Sequence, residues 1–95
     1  MPVVVMAFSE FGRQPTENGS LGTDHGTAGP VFVAGPSVRA GLIGATPPLG
    51  NLRDGDLAWS IDFRSVYATL LGPWLDLPAD RVLGERFDVL PLLKV

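Results

Sequence analysis

The sequence predicts an α/β fold class, in which short apolar strands pack against helices. Residues 3–8 read VVVMAF and residues 31–34 read VFVA, and both runs are apolar without interruption. Such short runs, rich in β-branched residues, are typical of strands that are buried on both faces. The third observation is an amphipathic helix that begins after Asp62. We therefore expect two buried strands followed by a helical layer.

The helix prediction depends on a capping residue and a regular apolar spacing. The carboxylate of Asp62 can accept hydrogen bonds from the free N–H groups of a first helical turn. Pro73 should end or kink the helix, because it lacks an N–H group. Trp59 is interpreted as a core side chain, as are the two large aromatic residues of the helix. The apolar face has the i, i+3, i+4 spacing of a buried helix face and consists of Phe63, Val66, Tyr67, Leu70, Leu71 and Trp74.

The rest of the chain is divided by its 12 glycines and nine prolines into short elements. Pro78 is suited to open a second short helix and Gly84 to end it. The C-terminal segment FDVLPLL is apolar and must dock on another element. In order, the sequence predicts turns over 37–52 with one short strand near Leu42 and Ile43, a turn at 53–56, an extended piece at 57–61, a helix at 79–83 and the docking segment at 87–93.

These elements do not form a closed layered structure by themselves. Two strands that are buried on both faces need cover on both faces, whereas the sequence offers one long helix and one short helix. We expect the 95 residues to form at most one domain and to be part of a larger α/β layered structure. The alternative is that the exposed strands pair with a second copy or with another chain.

Composition excludes several classes of partner. The net charge of −3, the pI near 4.8 and the lack of a Lys/Arg cluster argue against nucleic-acid binding. No stretch approaches the roughly 18 apolar residues of a membrane span, and the first ten residues lack the basic region of a signal peptide. The chain contains no cysteine, which excludes disulfides and thiolate metal sites. We expect no nucleic-acid partner, no membrane insertion and no export signal within these residues.

A long polar stretch, residues 9–30, separates the two predicted strands and shows neither helical nor strand periodicity. Loops longer than about 12–15 residues are usually functional or disordered. Glu10 follows the end of the first strand, where ligands bind in open α/β sheets. Its carboxylate could bind a metal, act as a general base or pair with Arg13. The alternative is a solvated carboxylate in a turn.

The tripeptide Asp24-His25-Gly26 is the sharper signal within this stretch. Asp24 and His25 can present a carboxylate oxygen and an imidazole nitrogen to one metal ion, and zinc accepts such ligands. Gly26 lets the backbone turn without a Cβ clash. Arg13 could hold an oxyanion as a bidentate fork. The alternatives are a structural role for the tripeptide, a surface ion pair of Arg13 with Glu10 or Glu17, and a solvent-facing Arg64 in the predicted helix.

The order and spacing of several motifs resemble the C-terminal end of a family of uncharacterised bacterial sulfatase-like proteins, which is labelled a domain of unknown function. That family is in turn similar to the alkaline-phosphatase superfamily. Nearly all of the chain is covered by the resemblance. The motifs that carry it are SEFGR at 9–13, GTDHG at 22–26, VFVAG at 31–35 and DFRSVYATLLGPWL at 62–75.

The resemblance implies a C-terminal fragment of a three-layer α/β/α alkaline-phosphatase-like (sulfatase-like) fold. It implies a metal-dependent hydrolase of small anionic phosphate or sulfate esters, with zinc, calcium or manganese as the cofactor. Glu10 takes the position of the strand-end carboxylate and His25 that of a metal-ligating histidine. Asp24 is a ligand or orients His25, and Arg13 contacts the substrate. Full-length members are expected to be exported to the periplasm or the cell surface.

Two departures from that pattern define the expected limits of activity. Phe11 follows Glu10 where many superfamily members have a histidine. The nucleophile of the superfamily comes from an earlier part of the fold that this chain does not contain, so we expect no activity in isolation. The alternative function is a non-catalytic structural or binding domain that kept the fold and lost the chemistry. Self-association through exposed strands is a further expectation.

Overall fold

The computed structural model describes residues 2–94 and divides the chain into two compact units. The strand unit contains Val5–Ala34 and Gly44–Ser60. The helical unit contains the described residues up to Val4, Gly35–Ile43 and the described residues from Ile61 onward. Mixed strands and two short helices agree with the predicted α/β class. No helix among residues 2–94 has the length and apolar character needed to cross a membrane.

The two predicted apolar strands pair with each other in the strand unit. Strand β1 is Val5–Ala7 and strand β4 is Phe32–Ala34, and they run antiparallel with Met6 opposite Val33. Their existence is confirmed, but their burial is not. Val5 is 58% exposed and Phe32 is 66% exposed, because no described element covers that face of the two-stranded ribbon.

The stretch that was expected to be an irregular loop forms a β-hairpin, which corrects the sequence interpretation. Strand β2 is Gly12–Glu17 and strand β3 is Thr23–Gly26, paired antiparallel. The pairing shifts register between Arg13 and Glu17, where Pro15 cannot donate to the ladder. Periodicity missed the hairpin because both strands are polar and mostly exposed, so neither shows an apolar face.

Asn18 closes the turn of this hairpin. Its Oδ1 accepts hydrogen bonds from the N–H groups of Ser20 (2.9 Å) and Gly22 (3.1 Å). Its own N–H donates to the carbonyl oxygen of Gly22 at 2.7 Å. Asparagine commonly closes turns in this way, by bonding the backbone a few residues ahead. The turn is therefore specified by one side chain.

The predicted turn at 53–56 is confirmed. Arg53 and Asp56 exchange two backbone hydrogen bonds of 2.8 and 2.9 Å. The two residues between them, Asp54 and Gly55, have φ values of 53° and 80°, which is the geometry of a tight type I′ hairpin turn. Leu42 and Ile43 lie outside any strand, so the strand expected there is absent from the structure. Trp59 is 50% exposed, and its interpretation as a core residue is wrong.

The helix after Asp62 is confirmed in the helical unit, but the predicted burial of Phe63 on its apolar face is wrong, since that side chain is 59% exposed. Helix α1 is Phe63–Thr69, and the Asp62 carboxylate accepts a hydrogen bond of 2.9 Å from the Arg64 N–H. A π-helical turn follows at Leu70–Trp74 and contains Pro73. Proline has no N–H to donate to the carbonyl four residues back. Within this turn, the Leu75 N–H donates a hydrogen bond of 3.0 Å to the carbonyl oxygen of Leu70, five residues earlier in the chain.

The second helix and the docking segment also agree with the sequence predictions. Helix α2 is Ala79–Leu83 and ends at Gly84 in the left-handed conformation, with φ of 87°. Thr69 is 1% exposed, and its hydroxyl oxygen accepts a hydrogen bond of 2.9 Å from the Leu90 N–H. Leu93 forms an antiparallel bridge with Val38. Among the described residues, the buried apolar side chains are Ala28 in the strand unit and Val66, Ala68, Leu92 and Leu93 in the helical unit.

Candidate functional site

The β2–β3 hairpin places two residues of the predicted site directly opposite each other. Arg13 on β2 and His25 on β3 are register partners. Directly opposed residues in an antiparallel pair project to the same face of the sheet. Both residues are exposed to solvent. The hairpin therefore presents a guanidinium and an imidazole side by side on one accessible face.

Phe11 contacts both of these side chains. Its ring stacks on the His25 imidazole, with ring centroids 3.5 Å apart and an angle of 14° between the planes. The Arg13 guanidinium carbon lies 5.2 Å from the Phe11 ring centroid, within the range of a cation–π interaction. We call Phe11, Arg13 and His25 the aromatic-cationic cluster.

Arg13 is held by the backbone of the hairpin. Its Nη1 donates a hydrogen bond of 2.6 Å to the carbonyl oxygen of Thr23. The proposed surface ion pairs of Arg13 do not form, since the ion pair found among residues 2–94 joins Arg64 to Asp62. A guanidinium carries five N–H donors, so Arg13 keeps donors for an anionic ligand after this bond is made.

Asp24 lies on the opposite side of the hairpin from His25. Successive residues of a strand point to opposite faces, and both residues belong to β3. The Asp24 Oδ1 accepts a hydrogen bond of 3.0 Å from the Asn18 Nδ2, the residue that closes the hairpin turn. Asp24 thus stabilises the turn in this arrangement, and sharing one metal ion with His25 requires a local rearrangement of β3.

Glu10 is exposed at a bend directly before Phe11. Its neighbour in the chain is therefore the ring that stacks on His25. Glu10 is thus adjacent in the chain to the aromatic-cationic cluster. Glu10 and His25 remain the predicted pair of metal ligands.

Asp56 also holds the site, although sequence reasoning treated it only as part of a turn. Its Oδ2 accepts a hydrogen bond of 3.0 Å from the Thr27 N–H, and its Oδ1 accepts one of 2.9 Å from the Leu57 N–H. It therefore fixes the chain two residues after His25. The sequence offered one indication of this role, because Asp56 is the acidic residue that ends the RDGD turn.

Gly26 has no room for a side chain. A Cβ at this position would lie 2.6 Å from the Asp56 Oδ1 and 2.9 Å from the carbonyl carbon of Arg13. Real Cβ atoms do not approach other atoms this closely. Gly26 thus allows the two strands and the Asp56 carboxylate to approach each other. This agrees with the prediction that a residue without a Cβ is needed here to avoid a clash.

The described residues supply the chemistry of a metal site but not enough ligands. An imidazole nitrogen and a carboxylate oxygen suit zinc, and a catalytic zinc site usually has three protein ligands. Among residues 2–94, no group of three or more His, Cys, Asp or Glu side chains lies close enough together to hold a metal ion. A complete site at His25 needs further ligands or movement of Asp24.

Neither of two depressions in the helical unit contains the predicted site residues. Two depressions of about 350 and 300 Å³ lie in the helical unit, around Pro73 and Val89. None of Glu10, Arg13, Asp24 and His25 lines either one. The candidate site is therefore a surface formed by the hairpin.

Comparison with known proteins gave one match. A protein-family model described as "Protein of unknown function (DUF1501)" matches residues 2–83. This range contains the β2–β3 hairpin, the Asp56 turn and both helices. No curated protein and no solved structure matched the chain significantly.

Proposed function

The chain belongs to the DUF1501 family of proteins of unknown function, and we propose that residues 1–95 form the C-terminal part of a sulfatase-like domain of the alkaline-phosphatase superfamily. The whole protein would be a metal-dependent hydrolase of phosphate or sulfate esters. The motif resemblance at 9–13, 22–26 and 62–75 supports this proposal. The structural observation in its favour is the pairing of Arg13 with His25 on one face of the hairpin.

Each predicted site residue has a role in this proposal. His25 and Glu10 bind a divalent cation, with zinc, manganese and calcium as the candidates. Asp24 is a third ligand after rearrangement, or it keeps the hairpin turn in place through Asn18. When bound, the cation would polarise a phosphoryl or sulfuryl oxygen. Arg13 donates hydrogen bonds to the remaining oxygens of the ester group, as guanidinium groups do with oxyanions.

The proposal also predicts what the 95-residue chain does not do. The hairpin supplies at most three ligands, and none of Ser9, Thr23 and Ser65 has a nearby base in the sequence that would mark it as a nucleophile. The remaining ligands and the nucleophile would come from another part of the whole protein. We therefore expect negligible ester hydrolysis by this chain alone, and robust turnover by it with any of the three metals would contradict the proposal.

Metal titration tests the ligand assignment directly. In the whole protein, which would supply the remaining ligands, isothermal calorimetry with zinc, manganese and calcium salts is expected to show His25-dependent binding. His25→Ala should abolish it, Glu10→Gln should weaken it, and Glu85→Gln, a change of an exposed carboxylate in the helical unit, should leave it unchanged. Absence of binding, or binding that His25→Ala leaves intact, would reject the proposal.

A second candidate function is a non-catalytic binding or structural domain with the same fold. One observation favours it. Phe11 occupies the position at which many superfamily members have a histidine. Calorimetry on the full-length protein distinguishes the two functions, because a non-catalytic domain is expected to bind no metal at His25.

A further inference from the structure

The His25 ring lacks the support that usually orients a metal-binding histidine. Such a histidine commonly donates its second ring N–H to a carboxylate or a backbone carbonyl, which fixes the plane of the ring. Among residues 2–94, no hydrogen bond involves either ring nitrogen of His25. The side chain is also exposed to solvent. Its orientation must therefore come from another contact.

Phe11 provides that contact. The two rings are nearly parallel, at 14°, with 3.5 Å between their centroids. The Phe11 ring therefore lies against one face of the imidazole and limits the rotation of the His25 ring. The same Phe11 ring lies within cation–π distance of the Arg13 guanidinium. One side chain thus contacts both of the groups that the hairpin places opposite each other.

We propose that Phe11 is a positioning residue, whose ring fixes the plane of the His25 imidazole on the hairpin face. This inference rests on the proposed function, in which His25 is the ligand that binds the cation. An exposed imidazole rotates about two torsion angles, and binding must restrict both. Stacking restricts them before the ligand arrives, and such pre-organisation strengthens binding.

The position of Phe11 in the chain supports this role. Phe11 immediately precedes β2, so its backbone is fixed by the strand that carries Arg13. Its N–H also donates a long hydrogen bond of 3.5 Å to the Ser9 Oγ. His25 is fixed on the other strand, between Asp24 and the tightly packed Gly26. Both partners of the stack are therefore held by the same hairpin.

Proton NMR on the full chain tests the stacking itself. His25 is the only histidine, so its ring resonances are identified without ambiguity. They are expected upfield of free histidine, because they lie over the Phe11 ring. Phe11→Leu should move them to the free value, whereas Phe11→Tyr should keep them upfield. Phe8→Leu, which removes an exposed aromatic ring of the same unit, should leave them unchanged.

Zinc titration of the same variants in the whole protein, where the remaining ligands would be present, tests the positioning role. Phe11→Leu is expected to weaken zinc binding by about tenfold or more, the range typical of residues that orient metal-binding histidines. Phe11→Tyr should restore the affinity. The methyl resonance of Ala28, the buried apolar residue of the strand unit, reports whether each variant still folds.

The outcomes separate this inference from the proposed function. His25 resonances that are equal in the unmodified chain and in Phe11→Leu overturn the inference. So does zinc binding that depends on His25 and is equal in both. If the unmodified whole protein binds no zinc, the proposed function fails, and the ring resonances alone decide whether Phe11 fixes the imidazole.

Discussion

The carboxylate of Asp56 accepts a hydrogen bond of 3.0 Å from the N–H of Thr27, a residue 29 positions earlier in the chain. This bond joins the tight turn at 53–56 to the segment that follows His25. It brings the Asp56 carboxylate to the backbone two residues after His25. Through this hydrogen bond, Asp56 supports the hairpin.

Removing the Asp56 carboxylate should loosen the hairpin. Asp56→Ala is expected to lower the free energy of unfolding by about 1–3 kcal/mol, because hydrogen bonds to charged groups contribute in this range. Asp56→Asn keeps one acceptor oxygen, so its free energy of unfolding should lie between those of the unmodified chain and Asp56→Ala. Urea unfolding provides the measurement, with Asp88→Ala, a change of an exposed aspartate, as the control. Equal loss in Asp56→Ala and Asp88→Ala would contradict this role.

A side chain at Gly26 should disturb the site more than a side chain at Gly19 in the hairpin turn. Gly26→Ala forces atoms apart at Asp56 and Arg13, and such overpacking typically costs about 1–3 kcal/mol. Gly19→Ala is the matched control, because a Cβ there meets nothing within 4 Å. Urea unfolding should show a lower free energy of unfolding for Gly26→Ala than for Gly19→Ala. The amide resonances of β3 should shift in Gly26→Ala and stay in place in Gly19→Ala. A tolerated Gly26→Ala would show that the strands do not approach so closely.

Helix α1 should lose stability in acid because of Asp62. The side-chain hydrogen bond from Arg64 lowers the pKa of Asp62 below its ordinary value of 3.8. A lowered folded-state pKa means that the stabilisation is present above the unfolded-state value and is lost as the pH falls through the folded-state value. The loss is therefore expected below about pH 3.8.

Asp62→Asn separates this effect from helix capping. Asparagine is also a good N-cap, but it does not titrate. Thermal unfolding followed by circular dichroism from neutral to strongly acidic pH should show a smaller acid-induced loss in Asp62→Asn than in the unmodified chain. Parallel losses in the two proteins would assign the acid sensitivity to other carboxylates.

The exposed face of the β1–β4 ribbon should promote self-association. Val5 and Phe32 are both more than half exposed, and unpaired apolar strands are templates for pairing with another chain. Light scattering coupled to size exclusion is expected to show species larger than the monomer, with a mass that rises with concentration. Phe32→Ser should reduce that mass, whereas Leu49→Ser, a change of an exposed leucine in a loop, should not. A concentration-independent monomer would argue against association through this ribbon.

Local patterns predicted the helices and one turn well. The Asp62 cap, the left-handed Gly84 and the 53–56 turn each depend on a few neighbouring residues, and Pro73 lies in a π-helical turn that continues to Trp74. Their causes are the hydrogen bonding of one side chain, a missing N–H group and the freedom of glycine at positive φ. Such causes can be recognised in a short stretch of sequence.

Contacts between distant segments could not be predicted in this way. The sequence placed Arg13, His25 and Phe11 in one polar stretch, but strand register made Arg13 and His25 partners and stacked Phe11 on His25. The apolar run of β1 predicted burial, and the structure leaves Val5 exposed. Burial depends on what covers a strand, which its own residues do not encode.

The sequence by itself determined the α/β class, the limits of the helices and the residue types available for binding an anion or a cation. Only the tertiary structure decided that Arg13 and His25 share a face, that Asp24 projects to the other face and that Asp56 supports the hairpin. The physical reason is the sequence separation of the interacting residues. Caps and turns form between residues within a few positions of each other, whereas the geometry of a site depends on strand register and on hydrogen bonds between remote segments.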